Sequence, residues 1–352
     1  MLLVAGCPSS SPAPEESDQT VGSEHVDSEV GSDASLAAEV DDLVAADGEK
    51  YGNVRAVLVV QRGKTLVDNY YESQPTDRRT VFSVTKSVVA TLVGIAEHEG
   101  LLQLDQTLAQ LLPAQRGAMT PDVAAVTLEE LLTMTAGFDN SPVFASAPNS
   151  VEYILGQGID TQLRGSFAYS DASAHLVAAI LTKATGQTLL DYARRHLFDP
   201  LDIDTRPAET PIADSPPHYR SNAFAWPTDA QGVHHGWSLL RMTAGDLVKL
   251  GQVYLDHGRW DGKQVVPRTW VEKATTPQVR VERHVGYGYL WYTPRGPHSI
   301  GYAALGHAGQ VIAILPDERT VIVAISDMAT EQHPFPVDSG ELALDLARIV
   351  AY

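Results

Sequence analysis

Segments with strand character lie at both ends of this 352-residue chain, and helical patterns fill the middle. Residues 54–61 and 65–71 are rich in β-branched and aromatic side chains and flank a turn that contains Gly63, which predicts an antiparallel hairpin. Residues 287–293, 311–315 and 320–326 have similar character near the other end. Because a sheet must cover its apolar faces, we expect the two ends to build one sheet that helices flank.

Several helices of the middle region are predicted from the capping pattern at their N-termini. Thr127, Thr188 and Thr243 each precede an acidic residue by three positions, which is the spacing of a capping box. Apolar residues at 84, 88, 92 and 95 share one helix face, so that Ser83 lies at the N-terminus of a buried helix. The predicted class is therefore α/β (α+β): an antiparallel sheet from residues 35–82 and 285–352, with a mostly helical region inserted at about 100–280.

Negative charge is concentrated near the N-terminus. Twelve of the 44 acidic residues and none of the 25 basic ones lie in residues 1–49, so most of the formal net charge of −19 belongs to this segment. Residues 1–34 contain too little apolar surface to order themselves and are predicted to be a tether before a domain at 35–352. The acidic balance argues against nucleic-acid binding, because it repels phosphate backbones.

Cys7 is the only cysteine, which excludes an internal disulfide and a cysteine-rich metal site. The run Val4-Ala5-Gly6-Cys7 resembles the lipobox at which bacterial lipoproteins are cleaved and acylated. Only six residues precede Cys7, fewer than a secretion signal needs, so we expect the true start to lie upstream. This predicts an extracytoplasmic protein anchored to a bacterial membrane by lipid at Cys7; the alternative is a chance cysteine in a ragged terminus.

Ser83-Val84-Thr85-Lys86 is an S-x-x-K motif at the start of the predicted helix. Residues three apart share a helix face, so the Ser83 hydroxyl and the Lys86 amine can approach each other. A serine nucleophile needs a base within hydrogen-bond reach, and a lysine can serve when burial and the helix dipole lower its pKa. Taken alone, the motif is more typical of a polar helix cap with a solvated lysine.

Two further segments change this interpretation. Tyr169-Ser170-Asp171 precedes a predicted helix over 172–185, and Gly306-His307-Ala308-Gly309-Gln310 leads into the strand that begins at Val311. With Ser83-x-x-Lys86 they resemble the serine β-lactamase and penicillin-recognising superfamily, which carries S-x-x-K, Y-x-N and then K-T-G or H-x-G. The resemblance covers about residues 50–350 and is to the class C-like branch, whose esterases and amidases are called β-lactamase-related serine hydrolases.

The resemblance implies a β-lactamase/transpeptidase-like fold and a role for each matching residue. Ser83 would be the acylated nucleophile, and Lys86 and Tyr169 would move its proton. His307 would take the place of the K-T-G lysine and orient the substrate. Gln310, after the small Gly309, would supply the second oxyanion N–H. The implied activity is hydrolysis of small esters or amides through an acyl-enzyme on Ser83.

Asp171 departs from the family pattern, which usually has asparagine at this position. A carboxylate near Lys86 would raise the pKa of the lysine and weaken it as a neutral base, so that proton abstraction would rest more on Tyr169. The alternative is that Asp171 caps the helix that follows it.

Other functions remain open at this point. β-Lactamase or D-alanyl-D-alanine peptidase activity is one alternative, and a non-catalytic surface binding module with the same fold is another. Neither a metal nor a cofactor is predicted, because His234 and His235 lack metal-ligand spacing and no HExxH, Walker A or G-x-G-x-x-G motif occurs.

The lipid anchor is tested by Cys7→Ser. The cysteine thiol is the acylated group, so its loss is expected to move the full-length protein from the membrane fraction to the medium. Immunoblots of both fractions give the measurement, and an unchanged membrane fraction would contradict the prediction.

Overall fold

The computed structural model describes residues 34–46, 48–209, 223–295, 301–329, 333 and 336–351. Cys7 and almost all of the predicted tether lie outside the described residues. Within them the strands are β1 (Val54–Gln61), β2 (Lys64–Tyr70), β3 (Arg79–Thr80), β4 (Ala208–Glu209), β5 (Phe224–Ala225), β6 (Arg241–Met242), β7 (Arg259–Trp260), β8 (Lys263–Gln264), β9 (Val279–Arg280), β10 (Val285–Tyr287), β11 (Tyr292–Pro294), β12 (Tyr302–Gly306), β13 (Gln310–Leu315) and β14 (Thr320–Ser326).

Helices fill most of the region between the terminal strands. The α-helices are α1 (Ala34–Ala46), α2 (Gly48–Tyr51), α3 (Val84–His98), α4 (Leu108–Leu111), α5 (Pro121–Ala124), α6 (Leu128–Leu132), α7 (Ser150–Gln157), α8 (Asp171–Thr185), α9 (Leu189–Ala193), α10 (Ala244–Leu255), α11 (Arg268–Ala274) and α12 (Ser339–Ala351). Thr127, Thr188 and Thr243 are the N-caps of α6, α9 and α10, as their spacing predicts.

One antiparallel sheet joins the two ends of the chain. Its strand order is β2-β1-β14-β13-β12-β11-β10-β9, so β1 from the N-terminal part pairs directly with β14 from the C-terminal part. The alternation of side chains along β1 sends Val57 and Val59 to one face and Leu58 and Val60 to the other. The prediction of a single sheet built from both termini is confirmed.

Helices cover both faces of this sheet. α1 and α12 bury Val40 and Leu346 against one face, and α3 and α10 bury Val88 and Leu247 in the larger core on the other. No helix among the described residues is long and apolar enough to cross a membrane.

The structure differs from the sequence prediction near the C-terminal strands. The single strand predicted at 287–293 is two short strands, β10 and β11, with Leu290 at a positive φ of 57° between them. β12 was not predicted, and its presence makes residues 307–309 the turn of a hairpin rather than a simple lead into the next strand.

The end of β12 lies against the segment that leads into α3. A Cβ on Gly306 would stand 2.4 Å from the backbone oxygen of Val81, so only glycine permits this approach. An ion pair supports the same segment, because Arg79 Nε donates to Asp327 Oδ1 at 3.0 Å, just after β14. The main sheet thus fixes the position of the helix that Ser83 begins.

Candidate active site

Ser83 occupies the N-cap position of α3, with φ of −68° and ψ of −8°. Its side chain makes no capping hydrogen bond, so the hydroxyl is free for other partners. The preceding Phe82 has a φ of +45°, a conformation that costs free energy for a residue with a side chain. Backbone hydrogen bonds on both sides hold this turn, including one of 2.8 Å from the Val81 N–H to the Leu240 carbonyl.

Lys86 lies one turn along α3 and is 1% exposed. Its Nζ donates to Ser83 Oγ at 2.9 Å and to the Trp237 backbone carbonyl at 2.7 Å. Asp171 Oδ1 lies 2.7 Å from the same nitrogen and forms an ion pair with it. The Lys86 ammonium thus donates two hydrogen bonds, and the Asp171 carboxylate balances its charge through the ion pair.

Tyr169 reaches the same serine from the segment before α8. Its hydroxyl donates to Ser83 Oγ at 2.8 Å, and its ring centroid lies 4.9 Å from Lys86 Nζ. A backbone bond of 2.8 Å from the Ala168 N–H to the Met134 carbonyl holds this segment in place. Two donors therefore converge on one hydroxyl oxygen, and Ser83 can give up its proton only where one of these groups is itself deprotonated.

Opposing effects act on the charge of Lys86. Burial lowers its pKa, but the electrostatic attraction of Tyr169 and of Asp171, with the short contacts to both, outweighs burial and leaves the pKa above its usual value. Lys86 is consequently an ammonium at neutral pH, and it is stabilised in that form by a carboxylate that the family pattern lacks.

Asp171 does not cap its helix. The N-cap of α8 is Ser170, whose hydroxyl accepts a hydrogen bond from the Ser173 N–H at 3.1 Å. Asp171 is the first residue of the helix, and its N–H donates to Asn140 Oδ1 at 2.9 Å. Of the two interpretations that the sequence left open, the structure places the carboxylate against Lys86.

His307, Gly309 and Gln310 belong to the hairpin between β12 and β13. His307 is exposed, and its ring packs edge-on against that of Phe82 with centroids 5.6 Å apart. A Cβ on Gly309, at φ of +84°, would lie 2.5 Å from Ser326 Oγ, so this position requires glycine. Gln310 is fully buried, and its side-chain amide donates to the carbonyls of Ala308 and Ser326.

Because Phe82 precedes Ser83 in the chain and packs against His307, this hairpin turn lies next to Ser83. The Ser83 N–H precedes the first turn of α3 and has no acceptor within the helix. A helix N-terminus of this kind favours a developing negative charge, so this amide is a candidate donor to an oxyanion.

Several contributors to the site are not predicted by the sequence. Trp237 is one of them, and it contributes its backbone carbonyl, which accepts a hydrogen bond from Lys86. His175 and Asp229 form a buried pair nearby, with 3.1 Å between Nε2 and Oδ2. The signal for His175 is its position four residues after Asp171, which puts both on one face of α8.

Several other aromatic and histidine side chains are packed in the interior. Trp226, Tyr287, Tyr289 and Trp291 are all buried in the larger core. His234 and His235 are buried as well. No group of three or more metal-ligating side chains occurs in the part of the chain that the structure describes.

Replacement of Asp171 by asparagine is expected to lower the pKa of Lys86, because the variant removes an anion that stabilises the ammonium. A pH titration of the Lys86 ¹⁵Nζ resonance measures this directly, with the signal assigned by its absence from Lys86→Arg. Asp139→Asn is the matched control, since Asp139 is an exposed carboxylate on the neighbouring loop. Equal Lys86 pKa values in wild type and Asp171→Asn would contradict the prediction.

Comparison with known proteins finds relatives over most of this chain. A 6-aminohexanoate-dimer hydrolase from Paenarthrobacter ureafaciens is 24% identical over 325 residues, covering 83% of this chain and 77% of the relative. The solved penicillin-binding protein homologue from Pyrococcus abyssi is 17% identical with a TM-score of 0.67, covering 91% of this chain and 78% of that one. The beta-lactamase from Sulfitobacter sp. EE-36 is 18% identical with a TM-score of 0.64, covering 90% and 95%.

These solved structures establish the fold, which is β-lactamase/transpeptidase-like as predicted. The family model described as Beta-lactamase matches residues 40–347, which is most of the chain. The chain belongs to the beta-lactamase family.

Proposed function

We propose that this protein hydrolyses small esters or amides through an acyl-enzyme formed on Ser83. The observation that carries the proposal is the meeting of two proton-bearing groups, Lys86 Nζ at 2.9 Å and Tyr169 Oη at 2.8 Å, at one serine oxygen. A serine becomes a useful nucleophile only with a base at such a distance. A binding module would not need this set of groups.

Tyr169 is the base in the reactive form of the enzyme. Lys86 remains an ammonium because Asp171 stabilises its charge, so it has no lone pair with which to accept the serine proton. The ammonium instead lies 4.9 Å from the centroid of the Tyr169 ring, beside the group that is proposed to accept the proton. Ser83 Oγ attacks the substrate carbonyl carbon while its proton passes to the Tyr169 oxygen.

The tetrahedral intermediate then collapses with proton return. The negative oxygen is stabilised by the backbone N–H of Ser83 and, on the side of the hairpin, by that of Gln310. Tyr169 gives its proton to the leaving alkoxide or amine, which departs and leaves an ester on Ser83. Water transfers a proton to Tyr169 and attacks this ester, and Ser83 leaves with the proton it regains.

Small, open-chain substrates are favoured over β-lactams. The name of the Paenarthrobacter relative describes hydrolysis of a 6-aminohexanoate dimer and not of a β-lactam, which supports a substrate outside the β-lactam class. His307 stands where the K-T-G motif has a lysine, so this position does not supply the lysine cation that would attract the carboxylate of a penicillin. His307 is proposed to orient the substrate from the exposed face of the hairpin.

Acylation of Ser83 is tested by intact mass after incubation with nitrophenyl esters, nitroanilides and a chromogenic cephalosporin. Wild type is expected to gain one acyl group from an ester or anilide and to turn it over, while Ser83→Ala gains none and loses activity by about 10⁴-fold or more. A fluorophosphonate serine probe should label only wild type.

Two results would overturn the proposal. The absence of any adduct in wild type would favour a binding module. Turnover of the cephalosporin with no turnover of esters or amides would favour a β-lactamase.

A further inference from the structure

A buried acid–base pair lies behind the proposed active site. The side chains of His175 and Asp229 are each 0% exposed, and His175 Nε2–H donates to Asp229 Oδ2 at 3.1 Å. Burial raises the pKa of Asp229, but the hydrogen bonds from His175 and from backbone N–H groups outweigh it and keep the pKa below its usual value. Asp229 is thus a buried carboxylate whose charge its neighbours stabilise, and the mechanism above does not use it.

Asp229 organises the loop in which it lies. Its Oδ1 accepts the backbone N–H groups of Gln231 and Val233, both at 2.9 Å, and its own N–H donates to the Val233 carbonyl at 2.8 Å. The other carboxylate oxygen is bound to His175 on α8. The carboxylate therefore closes the loop and also attaches it to the helix that carries Asp171.

The same loop continues directly to the lysine. Trp237 Nε1–H donates to His235 Nδ1 at 3.3 Å, and the Trp237 carbonyl accepts from Lys86 at 2.7 Å. Burial and the proximity of His175 lower the pKa of His235 to about 4, so its ring is neutral and can accept this bond. A Cβ on Gly236 would lie 2.3 Å from the Ala174 carbonyl, which shows how closely the loop follows α8.

Aromatic packing connects the pair to Trp237 by a second route. Phe144 stacks on His175 with centroids 5.6 Å apart and meets Trp237 edge-on at 5.8 Å. His175 and His235 have ring centroids 5.7 Å apart. A displacement of His175 would therefore shift Trp237 through side-chain packing as well as through the backbone of the loop.

We infer that His175 and Asp229 are positioning residues, which hold the loop over 226–237 against α8 so that the Trp237 carbonyl fixes the Lys86 ammonium beside Ser83. Asp171 and His175 are one turn apart on the same face of α8. Asp171 contacts Lys86 directly, and His175 acts on it through Asp229 and the loop that carries the Trp237 carbonyl. In its effect on catalysis this inference rests on the proposed hydrolase function.

Two substitutions of His175 test the inference. In His175→Gln the side-chain amide keeps an N–H near the position of the histidine Nε2, whereas in His175→Met the side chain fills similar space without a donor. His175→Met is expected to lower kcat by about 10- to 100-fold with KM within about twofold, because Lys86 is misplaced while the substrate pocket is unchanged. His175→Gln is expected to recover most of kcat. A role in packing alone predicts equal loss in both variants.

A crystal structure of His175→Met gives a readout that does not depend on activity. The distance from the Trp237 oxygen to Lys86 Nζ should lengthen from 2.7 Å to beyond hydrogen-bond range. Should His175→Met not fold, Asp229→Asn carries the same measurements. Asp246→Asn is the control, since Asp246 is a buried member of the α10 capping box with no part in the site, and its replacement should change stability but not kcat.

The outcomes separate the two proposals. If wild type acylates no substrate but the distance lengthens in the variant, the hydrolase function fails and the positioning role stands. If wild type is active while the variant keeps both the 2.7 Å contact and its kcat, the positioning role is overturned.

Discussion

The arrangement of the site depends on the pairing and hydrogen bonding of the buried Lys86 ammonium. Removing an ammonium from water costs several kcal/mol, and the cost is offset only when the charge is paired and hydrogen-bonded. Its two hydrogen-bond acceptors and its counterion come from different parts of the fold: Ser83 from the start of α3, Trp237 from the loop before β6, and the Asp171 carboxylate from α8. One charge therefore draws three elements together, and the arrangement that satisfies it is also the one that places the serine.

The fold supports this charge with close backbone packing. Gly306 lets the end of β12 approach Val81, and Gly309 lets the following turn approach Ser326. The unfavourable φ of Phe82 is held between these contacts and the Leu240 carbonyl. Because the chain enters α3 through this constrained turn, the Ser83 hydroxyl faces Lys86 and Tyr169 instead of capping the helix.

The carboxylate of Asp171 affects whether Lys86 is charged or neutral. An asparagine in place of Asp171 would stabilise the Lys86 ammonium less, while burial would still oppose the charge. The free-energy difference between neutral and charged Lys86 would therefore be smaller. The carboxylate shifts the balance toward the charged form. In the proposed mechanism Tyr169 therefore accepts the serine proton. The buried carboxylate of Asp229 is bound by His175 and by backbone N–H groups, whereas the partly exposed carboxylate of Asp171 pairs directly with Lys86.

Much of the fold and part of the site could be predicted from the sequence. Runs of β-branched residues predicted β1 and β14, and cap spacing predicted α6, α9 and α10, because these signals are local. The contact between Trp237 and Lys86 joins residues 151 positions apart through a backbone carbonyl, so no residue type marks it. β12 escaped prediction because its five residues include Ala303, Ala304 and Gly306, which are weak strand formers.

The account is tested most directly by a crystal structure of the protein with an arylboronic acid, which mimics the tetrahedral intermediate. It predicts a boron–oxygen bond to Ser83, with Lys86 Nζ and Tyr169 Oη still within hydrogen-bond distance of that oxygen and one boronate oxygen facing the Ser83 N–H. A boronic acid bound elsewhere, or a bond to Ser83 with Lys86 and Tyr169 turned away, would contradict it.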